Sequence, residues 1–344
     1  MPEHKYADLA AKLREEIQSG VYAAGQKLPS ENELTALTGY SRQTVRQAMG
    51  LLEKDGLTDR VRGSGTYVRS GPTRRAVTHN VAVVTTYIGE YIFPDILQGI
   101  DRVLSQNGYS PLLSATHNRM DTERQILTGL LDKPIDGLIV EGTKTALPNP
   151  NLDLYRQFAA REMPVVFING FYRDLKDPIY VVADDRAGGR SACELLLKQG
   201  HREIAGLFKS DDIQGHRRYQ GYVEALRSAG VAVTDDRVLW YTTEDRDAIV
   251  ATRVGELVRD CTGLVCYNDE AAIQVLRALG DRTPALASFD NSTVAQMLPI
   301  PFVSLSNPKE RIGALAAEKL LRLLDGKEEA STILPWNLEP SRPI

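Results

Sequence analysis

The chain has 344 residues, 42% hydrophobic and 25% charged, with a formal net charge of -4. That balance belongs to a soluble globular protein and excludes a disordered or fibrous one, and the length exceeds one ordinary core, so more than one domain is expected. No run is apolar enough to span a bilayer and Met1 to Lys5 begin no signal core, so a cytoplasmic protein without membrane contact is predicted. Cys193, Cys261 and Cys266 have no paired spacing, which leaves three reduced thiols rather than a disulfide framework or zinc ribbon.

The charge is unevenly spread. Residues 1–75 hold 12 Lys and Arg against 9 Asp and Glu, whereas residues 76–344 hold 29 against 36. Between positions 40 and 75, Arg42, Arg46, Lys54, Arg60, Arg62, Arg69, Arg74 and Arg75 face only Glu53, Asp55 and Asp59. A basic patch on an otherwise acidic chain points to a polyanion contact.

Leu9, Leu13 and Ile17 recur four apart and predict a helix over residues 6–19, stopped by Gly20. Ser30, with Glu33 three residues on, reads as a capping box that starts a second helix near Glu31. It ends around Thr38-Gly39-Tyr40, and Ser41 caps a third helix over 42–55. There Val45, Met49 and Leu52 face inward while Arg42, Gln43, Thr44 and Arg46 face outward. Two short helices around a glycine turn, with arginines opening the second, make a helix-turn-helix. After Gly56, two strand-like runs around Gly63-Ser64-Gly65 read as a β-hairpin wing. An arginine fork matches the acceptor edge of guanine, and Gln43 and Thr44 suit adenine or the thymine methyl.

Leu28 to Leu34, Ser41 to Arg46 and Gly63 to Val68 together resemble the DNA-binding domain of the GntR family over about the first 70 positions. The resemblance implies that Glu31, Arg42, Gln43, Thr44 and Arg46 serve contact with double-stranded operator DNA. It also implies that Arg62, Gly63, Ser64 and Gly65 form a wing approaching the minor groove. Relatives read palindromes as two-fold dimers, so a homodimer is expected.

Residues 1–69 are therefore assigned to a winged helix-turn-helix (α+β), residues 70–80, broken by Gly71 and Pro72, to a linker, and residues 81–344 to a second domain. From Val81 the chain alternates strand and helix. Strands are predicted at 81–85, 110–114 and 137–140, with helices at 94–107 and 121–131. A second set has strands at 165–168, 204–208, 238–241, 263–266 and 285–288, with helices at 186–199 and 217–229. Such alternation predicts parallel sheets in an α/β domain of two Rossmann-like lobes.

In open parallel sheets a ligand lies beyond the carboxyl ends of the strands. Tyr87, Glu141, Asn169, Lys209, Asn268 and Asp290 all stand there, and convergent polar groups beside aromatic rings suit a polyhydroxylated ligand. Ile135 to Val140, Asp184 to Gly189, Gly200 to Ile204, Arg218 to Tyr222, Asn268 to Ala272 and Ser288 to Asn291 resemble the LacI/GalR repressors and their periplasmic sugar-binding relatives. That resemblance spans most of residues 80–340 and implies a periplasmic-binding-protein-like effector-binding and dimerisation domain. In it Arg218 binds a small sugar from the start of a helix, aided by Asn169, Asn268 and Asp290. The two modules together resemble a group of Gram-positive repressors through Thr85 to Ile88, Tyr91 to Pro94, Val140 to Lys144, Phe208 to Asp212 and Gln214-Gly215. This adds Tyr91, Phe93, Lys144 and Gln214 to the candidate ring and implies L-arabinose as effector.

The residue chemistry alone leaves the choice among pentoses and hexoses open, and a phosphosugar or purine effector keeps the same architecture. An enzyme is the reading from another class. Asp184, Asp185, Asp211, Asp212 and the five histidines stand in no metal-ligand spacing, and no nucleophile elbow or phosphate loop occurs, so neither cofactor nor metal is expected. Gly188-Gly189, opening a helix, reads as close helix–sheet packing.

Overall fold

A computed structural model describes residues 5–61, 63–69, 77–89, 91–297 and 302–337. Arg62, Arg74 and Arg75 of the basic patch, and positions 70–76 of the predicted linker, lie outside the described residues. The chain divides into two compact units between Val77 and Thr78.

The first unit contains α1 (Lys5–Gln18), α2 (Glu31–Thr38), α3 (Arg42–Lys54), β1 (Thr58–Val61) and β2 (Gly65–Val68). Leu9, Leu13, Leu34, Val45, Ala48, Leu52 and Val68 form its core. Helix α2 begins where the Glu33 N–H donates to Ser30 Oγ at 3.3 Å and the Ser30 N–H donates to Glu33 Oε2 at 2.7 Å. Two otherwise orphaned backbone donors are thereby satisfied. Gly39 ends the helix in left-handed backbone at φ 69°, and Ser41 accepts the Thr44 N–H at 3.2 Å to start α3. Strands β1 and β2 pair antiparallel, with Val61 opposite Gly65.

The second unit contains β3 (Asn80–Thr85), α4 (Phe93–Gln106), β4 (Ser110–Ala115), α5 (Met120–Leu131), β5 (Gly137–Glu141), α6 (Leu152–Ala160), β6 (Val165–Ile168) and β7 (Ile179–Ala183). There follow α7 (Asp185–Lys198), β8 (Ile204–Lys209), α8 (Ile213–Ser228), β9 (Val238–Tyr241), α9 (Arg246–Leu257), β10 (Gly263–Cys266), α10 (Asp269–Leu279), β11 (Ala285–Phe289), α11 (Thr293–Met297), β12 (Val303–Leu305), α12 (Lys309–Leu324) and β13 (Thr332–Leu334). Two parallel sheets result, in the orders β13-β7-β6-β5-β3-β4 and β12-β11-β10-β8-β9.

Beyond the strands β7, β12 and β13, which the sequence did not announce, three differences between sequence and structure bear on the site. Residues 165–168, grouped with the second set of strands, belong to the first sheet, because the chain leaves that lobe only after β7. Helix α8 begins at Ile213, so Arg218 stands in its second turn and not at its start. Gly189 packs helix on helix rather than helix on sheet: a Cβ there would lie 2.0 Å from the Arg218 carbonyl oxygen. Gly221 returns the contact, its Cβ position lying 2.0 Å from the Arg186 carbonyl, and so α7 and α8 approach backbone to backbone. This approach fixes where Arg218 points.

Candidate functional site

The carboxyl ends of both sheets face one cavity of about 170 Å³. Nine of the predicted effector residues line it: Tyr87, Tyr91, Phe93, Glu141, Lys209, Gln214, Arg218, Asn268 and Asp290. Arg218 is its anchor. Its Nε donates to Asp185 Oδ1 at 2.9 Å, its Nη1 donates to the Tyr267 carbonyl, and its guanidinium carbon lies 4.8, 4.4 and 5.0 Å from the ring centres of Tyr267, Phe289 and Trp336. Burial opposes its charge, but the Asp185 and Asp290 carboxylates outweigh burial and hold it protonated. Burial pushes Asp185 up to about 6 against the pull of Arg218.

The other charges are likewise tied. Lys209 Nζ donates to Asp212 at 2.5 Å, and Arg246 donates to Glu270 at 2.8 Å. The Glu141 carboxylate accepts from the Thr86 N–H at 2.8 Å and from Asn169 Nδ2 at 2.8 Å, although burial still pushes its carboxyl upward. Tyr91, in left-handed backbone at φ 58°, donates its hydroxyl to Asp290 and accepts the Asp269 N–H at 3.2 Å.

Two predicted residues do not line the cavity. Asn169, at φ 60°, turns behind the wall and steadies Glu141. Lys144, at φ 46°, turns to the rim, where its ammonium pairs with Glu244. In both, the bond to a carboxylate, Glu141 or Glu244, holds the side chain away from the cavity. Asn118, Asp212, Arg246, Tyr267 and Glu270 line the cavity without having been singled out for it. Two of them carry a sequence signal: Asn118 follows β4 and Arg246 follows β9, so both stand beyond the carboxyl ends of strands.

Asp269 supports the site from behind. It is fully buried and accepts from Ser304 Oγ at 2.6 Å, from the Ser292 N–H at 2.7 Å and from Ser288 Oγ. Burial pushes its carboxyl up from 3.8 to about 6 despite these bonds. A raised carboxyl stabilises the fold fully below the unfolded value and loses that contribution as pH rises through the folded value. Between pH 7 and pH 5, wild type should therefore gain about 1 kcal/mol over Asp269→Asn. Urea unfolding of both proteins across this range measures it; a constant difference would refute the assignment.

On the first unit, Arg42, Gln43 and Arg46 are exposed on the opening turns of α3, and Thr44 is half-buried. Glu31 Oε2 accepts Arg46 Nη2 at 3.1 Å and its Oε1 accepts Arg60 Nη2 at 3.2 Å, so one carboxylate ties α3 to β1. The Arg46 hydrogen bond is the largest cause holding the Glu31 carboxyl below its usual range. Gly63 takes φ 78° at the turn of the hairpin and Ser64 Oγ meets the Tyr67 hydroxyl at 2.6 Å. Gly65 opens β2 at φ 133°, and Arg62 lies outside the described residues.

A winged helix-turn-helix and a two-lobed domain with a polar cavity at its strand ends define a ligand-linked DNA-binding regulator. The comparisons with known proteins place it further. Residues 5–68 match the bacterial regulatory proteins of the gntR family, and residues 193–339 match the periplasmic binding protein-like domain. The chain is 34% identical to the arabinose metabolism transcriptional repressor of Halalkalibacterium halodurans, covering 94% of this chain and 90% of that protein. It is 36% identical to the protein of the same name from Geobacillus stearothermophilus, covering 93% and 91%. A putative ribose operon repressor from Burkholderia thailandensis shares the fold at a TM-score of 0.66 and 24% identity, covering 76% of this chain and 98% of that one. The chain belongs to the family of these GntR-type transcriptional repressors; it is a DNA-binding regulator and not an enzyme. No helix among the described residues is long and apolar enough to cross a membrane.

Proposed function

We propose that this repressor is released from operator DNA by a neutral monosaccharide, L-arabinose. The observation that carries the reading is the neutralisation of the three basic residues lining the cavity: Lys209 by Asp212, Arg218 by Asp185 and Arg246 by Glu270. Glu141 and Asp290 stand beside them as further carboxylates. A phosphosugar would bring charge to a wall with no spare cation, whereas hydroxyl groups both donate to carboxylates and accept from the arginine fork. The volume, about 170 Å³, is below the roughly 300–1,000 Å³ of drug-sized sites and favours one sugar ring over two. Among monosaccharides, the names of the two relatives at 34% and 36% identity favour arabinose.

Thermal unfolding with L-arabinose, D-xylose, D-galactose, ribose 5-phosphate and hypoxanthine tests this. At a hundred times its dissociation constant, the true effector adds about 2.7 kcal/mol and raises Tm by roughly 5–10 °C. Shifts with ribose 5-phosphate or hypoxanthine, and none with the neutral sugars, would overturn the reading.

On the DNA side, Arg42, Gln43, Thr44 and Arg46 are assigned to the major groove and the hairpin at 62–65 to the minor groove, in a homodimer matching a two-fold operator. Closure of the two lobes on the sugar is the step that withdraws the readers from the operator. Because binding linkage is reciprocal, operator DNA lowers sugar affinity by the factor by which sugar lowers DNA affinity.

A further inference from the structure

The rim of the cavity carries a cluster that the sugar reading leaves unused. In the first lobe His117, Asn118 and Lys144 stand in left-handed backbone at φ 52°, 53° and 46°. Side chains rarely adopt that conformation, and it persists where surrounding bonds over-determine it. The backbone of His117 and Asn118 is held within the first lobe, by Thr86 and Thr116, and from there the side chains of Asn118 and Lys144 reach the second lobe. Asn118 Nδ2 donates to Thr243 Oγ1 at 2.5 Å and approaches Asp211 Oδ2 at 3.4 Å. Thr243 donates its N–H at 3.0 Å and its hydroxyl at 2.8 Å to the same Asp211 oxygen. Asn118 Oδ1 accepts the Lys144 N–H at 3.0 Å, and the Lys144 ammonium pairs with Glu244. Beside them the Ala146 N–H donates to the Asp211 carbonyl at 3.1 Å, and the Ile213 N–H donates to Thr145 Oγ1 at 3.1 Å.

Asp211 is the hub of this set. It is 1% exposed and does not line the cavity, yet it touches two residues that do: Asn118, across the cleft, and Lys209, whose Nζ lies 3.7 Å from Asp211 Oδ1. That Oδ1 has no hydrogen-bond partner, so its position is set by the rest of the cluster.

We infer that Asp211, with Thr243 and the Lys144–Glu244 pair, is a clasp that holds the two lobes closed. Asp211 is thus a positioning residue for effector retention that makes no contact with the effector. The inference rests on the reading of the cavity as the effector site. The bonds of Asn118 to Thr243 and Asp211, of Lys144 to Glu244, of Ala146 to the Asp211 carbonyl and of Ile213 to Thr145 join residues of opposite lobes, so only the closed domain has them and they stabilise the closed state selectively. The Asp211–Thr243 bonds, within the second lobe, hold Thr243 in place to meet Asn118. A sugar enters the open domain and leaves only after the clasp opens. Weakening the clasp therefore speeds release without slowing entry, and it raises the sugar concentration needed for DNA release.

Full-length Asp211→Asn, Thr243→Val and Glu244→Gln test this by stopped-flow kinetics with L-arabinose and by small-angle scattering. Asp211→Asn is expected to release sugar about tenfold faster, Thr243→Val a few-fold faster and the exposed Glu244→Gln about twofold faster. Association should be no slower and sugar-free operator affinity no weaker than in wild type, and the sugar-free variants should scatter as more extended particles. If Asp211→Asn fails to fold, Thr243→Val decides. Wild-type release rates in Asp211→Asn and Thr243→Val would overturn the clasp, as would slower association at unchanged compactness. If wild type itself takes up none of the neutral sugars, the effector reading falls. The clasp is then judged by scattering alone: Thr243→Val more extended than wild type upholds it, and equal dimensions overturn it.

Discussion

Arg218→Ala is expected to bind L-arabinose at least a hundredfold more weakly, a loss of about 2.7 kcal/mol or more, and to remain on operator DNA in the presence of sugar. The side chain unites three roles: a fork of donors at the cavity floor, a cation among three rings and the counter-charge of Asp185. Truncation also leaves Asp185 buried without its partner, which costs the sensor domain about 3–5 kcal/mol unless the carboxyl takes up a proton. Burial already inclines it that way, to about 6 with the arginine present. Arg218→Lys keeps the charge but not the planar fork, and should fall between the two. The reader has its own core around Leu34, Val45 and Leu52, so operator binding persists. Calorimetry with sugar and a mobility-shift titration with and without it measure both halves. Near-wild-type sugar affinity in Arg218→Ala would remove Arg218 from the site.

Arg46→Ala is expected to lose operator binding while unfolding like wild type. One arginine reading a guanine edge contributes roughly 1–3 kcal/mol, and the proposed homodimer would lose it at both half-sites. Stability is spared because the side chain is 66% exposed. Glu31 refines the expectation: it orients Arg46 and Arg60 together, so Glu31→Gln should weaken discrimination between operator and unrelated DNA more than it weakens total binding. Titrations belong at one fixed salt concentration, because phosphate contacts make all such affinities salt-dependent. Wild-type operator affinity in Arg46→Ala would contradict the major-groove assignment.

The local elements were legible because their signals are local. Ser30 with Glu33 and Ser41 with Thr44 announce their helices by chemistry that acts within four residues. The central strands β3 and β5 read as apolar runs because both of their faces are covered. The return of the chain to its first lobe was not legible. Thr332–Leu334 is three residues long and pairs with Ile179–Ala183 some 150 positions earlier, a partnership without local pattern. Most of the site could be read as far as the strand ends, since that rule locates a residue along the chain. It does not say where the side chain points: Asn169 turns to Glu141 and Lys144 to Glu244, partners 28 and 100 positions away along the chain.

The order of elements also sets a schedule for synthesis. The reader is contiguous and the second lobe nearly so, but the first lobe lacks α12 and β13 until the end: Ile312, Ala316 and Leu320 share a core with Val81, Ile96 and Ile100. About 240 residues separate Val68 from Lys309, which at 5–20 residues per second is roughly 10–50 s of translation. During that interval a nascent chain has its DNA-reading face but not the lobe that would let a ligand govern it. A transcript cut short before α12 would encode a reader that answers to no signal.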